Sequence, residues 1–214
     1  MKPRSVIVYV EGPSDQFAME ELLARLLDQL LTSGVRVKFV PLEGKKPLMV
    51  KVPQKAVNIL PYQPDSIVVA LPDLYPPNVG GEHRTVAELR EVLRAEFLRW
   101  LARKGIEDRR IASRFKVFCF KHDLEALLLA AKPQLAERLG RESIPCTWIT
   151  PVEDQNHHQP PKRVVEQLFQ EHEERYRDTI DAPLILGAVN YPDIVRACPE
   201  CFGPFVDFLH SLQS

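Results

Sequence analysis

Four acidic side chains stand where apolar runs end. Glu11 follows the run at 6–10, Val-Ile-Val-Tyr-Val, and Asp15 comes four residues later at the mouth of a helical pattern. Asp73 follows the run at 66–71, Ser-Ile-Val-Val-Ala-Leu, and Glu125 lies just beyond the run at 115–120, Phe-Lys-Val-Phe-Cys-Phe. If these runs are neighbouring parallel strands, their carboxyl ends share one edge at a spacing of about 4.8 Å, and the acids can converge there. Nearby carboxylates repel and raise one another's pKa unless a cation neutralises them. A set of hard oxygen donors favours Mg²⁺ or Mn²⁺. A cation so held polarises phosphate and acidifies water, the chemistry of phosphoryl transfer and phosphodiester hydrolysis. A plainer reading stands beside it: Glu11 as an isolated turn residue and Asp15 as a helix cap.

The elements that must position these acids read as an α/β chain. The apolar run at 6–10 is a strand covered on both faces. Residues 17–31 put Phe17, Leu22, Leu23, Leu26, Leu27, Leu30 and Leu31 close to one helical face. Residues 35–40 alternate as an edge-side strand does, while 41–64 fit either a strand or a helix. A buried strand is predicted at 66–71, a helix at 85–104, a strand at 115–120 and a helix at 126–131. Beyond Pro145 the β signal fades into a Pro-rich loop and helices near 162–176, 183–197 and 202–212. The expectation is an open, mainly parallel sheet flanked by helices at 1–144, with a helical extension at 145–214. In such sheets functional residues gather at the carboxyl ends of the strands.

Composition narrows the classes. In 214 residues, 45% hydrophobic and 27% charged content is that of an ordinary globular chain. A net charge of -1 gives no overall attraction to nucleic acid, so a DNA or RNA partner needs a local basic patch or another subunit. No apolar run approaches the roughly 18 residues that span a bilayer, so no membrane partner is expected. Four cysteines make no disulfide scaffold, and the expected setting is a reducing cytoplasm.

Lys162 and Arg163 open a helical segment and are nucleic-acid-binding candidates, because a helix N-terminus attracts phosphate. Two adjacent basic residues on a solvated surface are the competing reading. Arg109, Arg110, Arg114, Lys116 and Lys121 form the densest basic cluster, diluted by Glu107 and Asp108. Cys198 and Cys201 have zinc-ligand spacing without a second pair, and His157-His158 fit a solvated loop. Tyr75 offers a surface for stacking a base or a hydroxyl for phosphate, against a packing role among prolines. Gly44-Lys45-Lys46 lacks the earlier glycine and the Ser/Thr of a phosphate-binding loop, so the chain is not expected to be an ATPase itself.

The segment from Val10 through Glu11, Gly12, Pro13 and Ser14 to Asp15, opening a helix, resembles the first motif of Toprim domains, the metal-dependent fold of topoisomerases, primases and OLD-type nucleases. Asp73-Leu-Tyr75 with its prolines, His122-Asp-Leu-Glu125, Pro161-Lys162-Arg163, and Ile194-Val-Arg196-Ala-Cys198-Pro narrow the resemblance. Together they are similar to a small, functionally uncharacterised Toprim-related, OLD-nuclease-like family found beside AAA/ABC-type ATPases. The resemblance implies Glu11, Asp15, Asp73 and Glu125 as Mg²⁺ or Mn²⁺ ligands. Glu11, Asp73, His122 and Glu125 would be catalytic, with His122 one helical turn from Glu125. It further implies a nuclease or nuclease-like subunit working with an ATPase against mobile elements. Tyr75 stands where Toprim domains carry a second aspartate, which leaves a non-catalytic partner of an ATPase complex as the alternative.

Overall fold

In the computed structural model, residues 4–145, 148–155 and 158–213 are described. Cys146 and His157 lie outside them. The chain runs β1 (Ser5–Val10), α1 (Pro13–Leu22), α2 (Ala24–Thr32), β2 (Arg36–Pro41), α3 (Lys45–Ile59), β3 (Ser66–Leu71) and α4 (Val86–Arg103). It continues through α5 (Arg109–Ser113), β4 (Phe115–Val117), α6 (Glu125–Ala130) and α7 (Lys132–Arg138). After a 3₁₀ turn at Val152–Asp154 come α8 (Pro161–Glu171), α9 (Asp178–Gly187), α10 (Tyr191–Ala197) and α11 (Phe202–Ser211).

The four strands form one sheet in the order β2-β1-β3-β4, every neighbouring pair parallel. Val10 stands opposite Pro41 on one side and Leu71 on the other, so β1 and β3 end level. The chain leaves β1 towards β2 and then returns past β1 to β3. That reversal makes the β1/β3 boundary the topological switch point, where open α/β sheets place their ligands. Right-handed crossovers require the helices after β1 to cover one face and those after β2 and β3 the other.

Side-chain alternation follows that division. Val6, Val8, Val10, Ile67, Val69 and Leu71 turn towards α1, α2 and the C-terminal helices. Tyr9, Val68 and Ala70 turn towards α3 and α4. Each wholly buried valine of β1 contributes about 1.5–3 kcal/mol by leaving water. The apolar cluster on the first face continues without a break to Leu212, with α9 lying along α1.

Several sequence expectations are adjusted. The single helix predicted over 17–31 breaks at Leu23 into α1 and α2. The undecided stretch 41–64 contains α3, which holds its helix through Pro53 because Leu48, Met49, Val52, Ala56 and Val57 bury one stripe against the sheet. The strand predicted at 115–120 pairs regularly only over Phe115–Val117. Pairing then resumes as an Asp73–Phe120 bridge, with Phe120 N–H donating to Pro72 O at 3.1 Å. The helix predicted at 183–197 is two, α9 and α10. No helix among the described residues is long and apolar enough to cross a membrane.

Candidate functional site

Glu11 is the first residue past β1, and Asp73 is the second past β3. Because β1 and β3 are neighbours in level register, the two acids meet across the switch point. The Asp73 N–H donates to Glu11 Oε1 at 2.9 Å. The turn that carries Glu11 is held from the other side, where Leu42 N–H donates to Val10 O and Gly44 N–H to Glu11 O, both at 2.9 Å. Gly44 adopts a φ of +99°, a backbone conformation that glycine accommodates without strain. It begins α3 and aims Lys45 beneath the loop after β3.

Lys45 is buried, and its Nζ donates to Leu74 O and Pro76 O, each at 2.6 Å. Burial lowers its pKa, and the charges of Glu11 and Asp73 partly restore it. Sequence reasoning passed over Lys45 as a site residue because it sought a phosphate-binding loop there. The usable signal was a glycine-lysine pair just past a strand end.

Asp15 lies on the first turn of α1 and is buried. Its Oδ2 accepts the Gly12 N–H at 2.8 Å, so the expected capping role is real, with Asp15 in the first turn and Gly12 as the N-cap residue. Asp123 and Glu125 enter from the bend before α6 and its first residue. Glu125 is buried, accepts the Tyr176 hydroxyl at 3.1 Å and stands 3.8 Å from Lys162 Nζ. Asp123 Oδ2 takes a long 3.4 Å bond from the Lys162 N–H, and its buried Oδ1 has no hydrogen-bond partner. Asp123 is the second residue that sequence reasoning missed, although it lies inside the His122–Glu125 motif.

These carboxylates feel one another. Burial, then the charge of Asp15, pushes Glu11 up to about 7 against the opposing Asp73 hydrogen bond. Burial raises Asp15 to about 6, against the Gly12 hydrogen bond and the charge of Lys162. Burial raises Asp123 to about 6 as well. Glu125 rises to about 7 through burial and the charge of Asp123. Asp73 is held well above the usual carboxylate range by burial, then by Glu11, Asp15, Asp123 and Glu125. Carboxylates pushed up by burial and mutual repulsion, one with a buried unpartnered oxygen, make a donor set whose chemistry fits a hard divalent cation.

Their placement is another matter. Among the described residues, no three histidine, cysteine, aspartate or glutamate side chains are grouped so as to hold a metal ion. The reason is local. Glu11 turns to the Asp73 amide, Asp15 to the Gly12 amide, and Glu125 to Tyr176. The four acids act on one another electrostatically, while Glu11, Asp15 and Glu125 are each turned to a separate protein donor.

His122 sits in the bend before α6 rather than on it, so it does not share a helical face with Glu125. Its buried ring stacks on Tyr75, with centroids 4.8 Å apart and planes 10° from parallel. Lys162 is directed inward to Asp178 at 3.2 Å and to Glu125, while Arg163 is exposed on the first turn of α8. In the second basic cluster, Arg114 donates to the carbonyls of Leu60, Gln63 and Ser66, Lys121 pairs with Asp154 and Glu200, and Arg110 pairs with Asp108. Cys119, Cys198 and Cys201 are buried free thiols, and burial raises Cys198.

No curated protein matches this chain. Among solved structures, the C-terminal region of the Burkholderia pseudomallei OLD protein shares its fold, with a TM-score of 0.52 at 16% identity over 100% of both chains. The C-terminal region of the Xanthomonas campestris pv. campestris OLD protein aligns with a TM-score of 0.43 at 17% identity over 98% of each chain. A family model described as "Domain of unknown function (DUF4276)" matches residues 10–210, from the end of β1 into α11, and the chain belongs to that family.

Proposed function

We propose that this chain is a Mg²⁺- or Mn²⁺-dependent, Toprim/OLD-like nuclease subunit that acts on phosphodiesters of DNA or RNA. The observation that carries the reading is the Glu11–Asp73 link across the β1/β3 switch point, with Asp15, Asp123 and Glu125 electrostatically joined to it. The fold likeness to an OLD C-terminal region supports it. Glu11, Asp15, Asp73 and Glu125 would hold the cation, which when bound supplies polarisation of phosphate and acidification of water.

The chain's own groups have the remaining tasks. Glu11, which burial pushes up to about 7 in the absence of a cation, would serve as a ligand of the cation or as a general acid-base. Lys45 fixes the loop that carries Asp73, and Tyr176 orients Glu125. His122, held flat by Tyr75, borders the acids and assists proton transfer. Arg163 offers an exposed charge to the nucleic-acid backbone, with Lys162 beside it. A separate AAA/ABC-type ATPase and a role against mobile elements, on the strength of the motif resemblance, and a cytoplasmic setting, on the sparse cysteines, complete the proposal. Incubation of the purified chain with DNA and RNA in Mg²⁺ or Mn²⁺ tests it. Hydrolysis should fall at least about 100-fold in Glu11→Gln and Asp73→Asn, within the range for removing an acid-base group. Activity unchanged in both variants overturns the assignment.

A second reading, a non-catalytic partner of an ATPase, is favoured by two features: Glu11, Asp15 and Glu125 are each engaged by a protein donor, and Tyr75 stands where the resembled motif carries an acid. Calorimetric titration of Mn²⁺ separates the two. Micromolar binding abolished by Asp73→Asn supports the enzyme, and absent binding supports the partner.

A further inference from the structure

Beside the carboxylates opens a cleft of about 510 Å³, lined by Tyr75, Pro76, Pro77, His122, Asp123 and Pro160. Its volume falls within the roughly 300–1,000 Å³ of small-molecule sites. The walls are mainly apolar, and no lysine or arginine is among the described lining residues. A phosphate would find no counter-charge here. A flat uncharged group would find flat surfaces: one wall is the Tyr75–His122 stack, and the others include three proline rings. Unstacked nucleobases are bound in this way, by the π-faces of aromatic side chains, with little regard to sequence.

The polar member of the lining adds a preference. Asp123 keeps unused acceptor capacity, with only the 3.4 Å contact from the Lys162 amide on Oδ2 and no partner on Oδ1. The terminal torsion of an aspartate is soft, so either oxygen can be turned to the cleft. A carboxylate can accept from an exocyclic amino group such as cytosine N4, and it repels the carbonyl that uracil carries at that position.

We infer that this cleft is a subsite for one unstacked nucleobase bearing an exocyclic amino group, cytosine foremost, in single-stranded nucleic acid. The inference takes its substrate class from the phosphodiester reading and adds where the base adjoining the acids is seated. Tyr75, which displaces an acid from the resembled motif, becomes a residue that seats substrate.

Free cytidine and uridine test it without phosphate or metal. Saturation-transfer NMR on the full chain, in EDTA at pH 7.5, should show transfer strongest to base protons H5 and H6, with cytidine above uridine. Tyr75→Leu, which keeps an apolar side chain but removes the ring, should weaken cytidine binding roughly 10-fold or more, since base–aromatic stacking is worth about a decade in affinity. Tyr75→Phe should retain it, and Asp123→Asn should bring cytidine to the uridine level. Absence of transfer from both nucleosides, transfer centred on the ribose, or undiminished binding in a folded Tyr75→Leu overturns the subsite. Hydrolysis in Mn²⁺ is scored separately. Cleavage without base-selective binding removes the subsite and keeps the nuclease reading, whereas binding without cleavage does the reverse.

Discussion

Glu11 Oε1 accepts the backbone N–H of Asp73 at 2.9 Å, a bond that joins positions 62 apart in the chain. It couples the conformation of one acidic loop to the charge of the other. Replacing Asp73 by asparagine keeps that backbone bond and removes a carboxylate disfavoured by burial and then by its acidic neighbours. The metal-free variant should therefore melt above the wild type by a few degrees. Mn²⁺ at about 100 times its Kd should stabilise the wild type by about 2.7 kcal/mol and leave the variant unmoved. Scanning calorimetry with and without Mn²⁺ reads both changes, and equal stabilisation of the two proteins contradicts the expectation.

The raised carboxylates set a pH dependence whose sign is fixed. Glu11 and Glu125 are pushed up to about 7, Asp15 and Asp123 to about 6, with burial the largest cause in each. Unfolded, these groups release their protons near pH 4. Between about pH 4 and 7 the folded chain thus binds more protons than the unfolded one, and stability falls as pH rises. Without metal, the urea midpoint should be higher at pH 5 than at pH 7.5, and Glu11→Gln should flatten the difference. A midpoint that climbs over this window shows that other groups dominate.

Lys45 holds two carbonyls on the loop that carries Asp73 and Tyr75. Lys45→Met leaves Leu74 O and Pro76 O without their donor and takes a positive charge from Glu11 and Asp73. A loss of about 1–3 kcal/mol is expected. Hydrogen exchange should locate it, with faster exchange at residues 73–75 and little change in α9 or α11. Uniform acceleration would mean that Lys45 supports the whole fold rather than this loop.

In the 3₁₀ turn that packs against α6, buried Glu153 accepts the N–H groups of Glu200, Cys201 and Phe202 at 2.7, 2.9 and 3.3 Å. It closes the N-terminus of α11, where a carboxylate is favoured by both hydrogen bonding and the helix dipole. Glu153→Ala should cost about 2–3 kcal/mol, as bonds to a charged group do. Glu153→Gln should recover part of that. Denaturant unfolding of the two variants measures the difference, and equal midpoints in the variants and wild type would sink the capping role.

What the sequence revealed depended on range. The apolar runs of β1 and β3 and the long stripe of α4 are local patterns, and the structure carries them where they were expected. The parallel order β2-β1-β3-β4 was not legible in those runs, because handedness fixes the face each helix covers and not which strands are neighbours. The kink at Leu23 was invisible because leucines continue through it. α3 was obscured because Pro53 argues against a helix locally, while burial of five apolar side chains decides the matter. The acids at 11, 15, 73 and 125 were legible as ends of runs. Which donor each would choose was not, because the Asp73 amide and Tyr176 arrive from distant positions. Lys162 illustrates the limit: its neighbour in sequence is another base, but its neighbours in space are Glu125 and Asp178.

Tyr176, the hydroxyl donor to Glu125, comes from the connection between α8 and α9, and Lys162, the nearby ammonium, from α8, both well after the last strand. A fragment ending near residue 144 would retain every strand and all five acids. It would also expose Glu125 to water, stripped of the hydroxyl that aims it and the ammonium that tempers it. Truncation scans that score only a folded sheet would pass such a fragment as complete. Minimal versions of this chain must therefore be chosen by the surroundings of Glu125, and not by where the sheet stops.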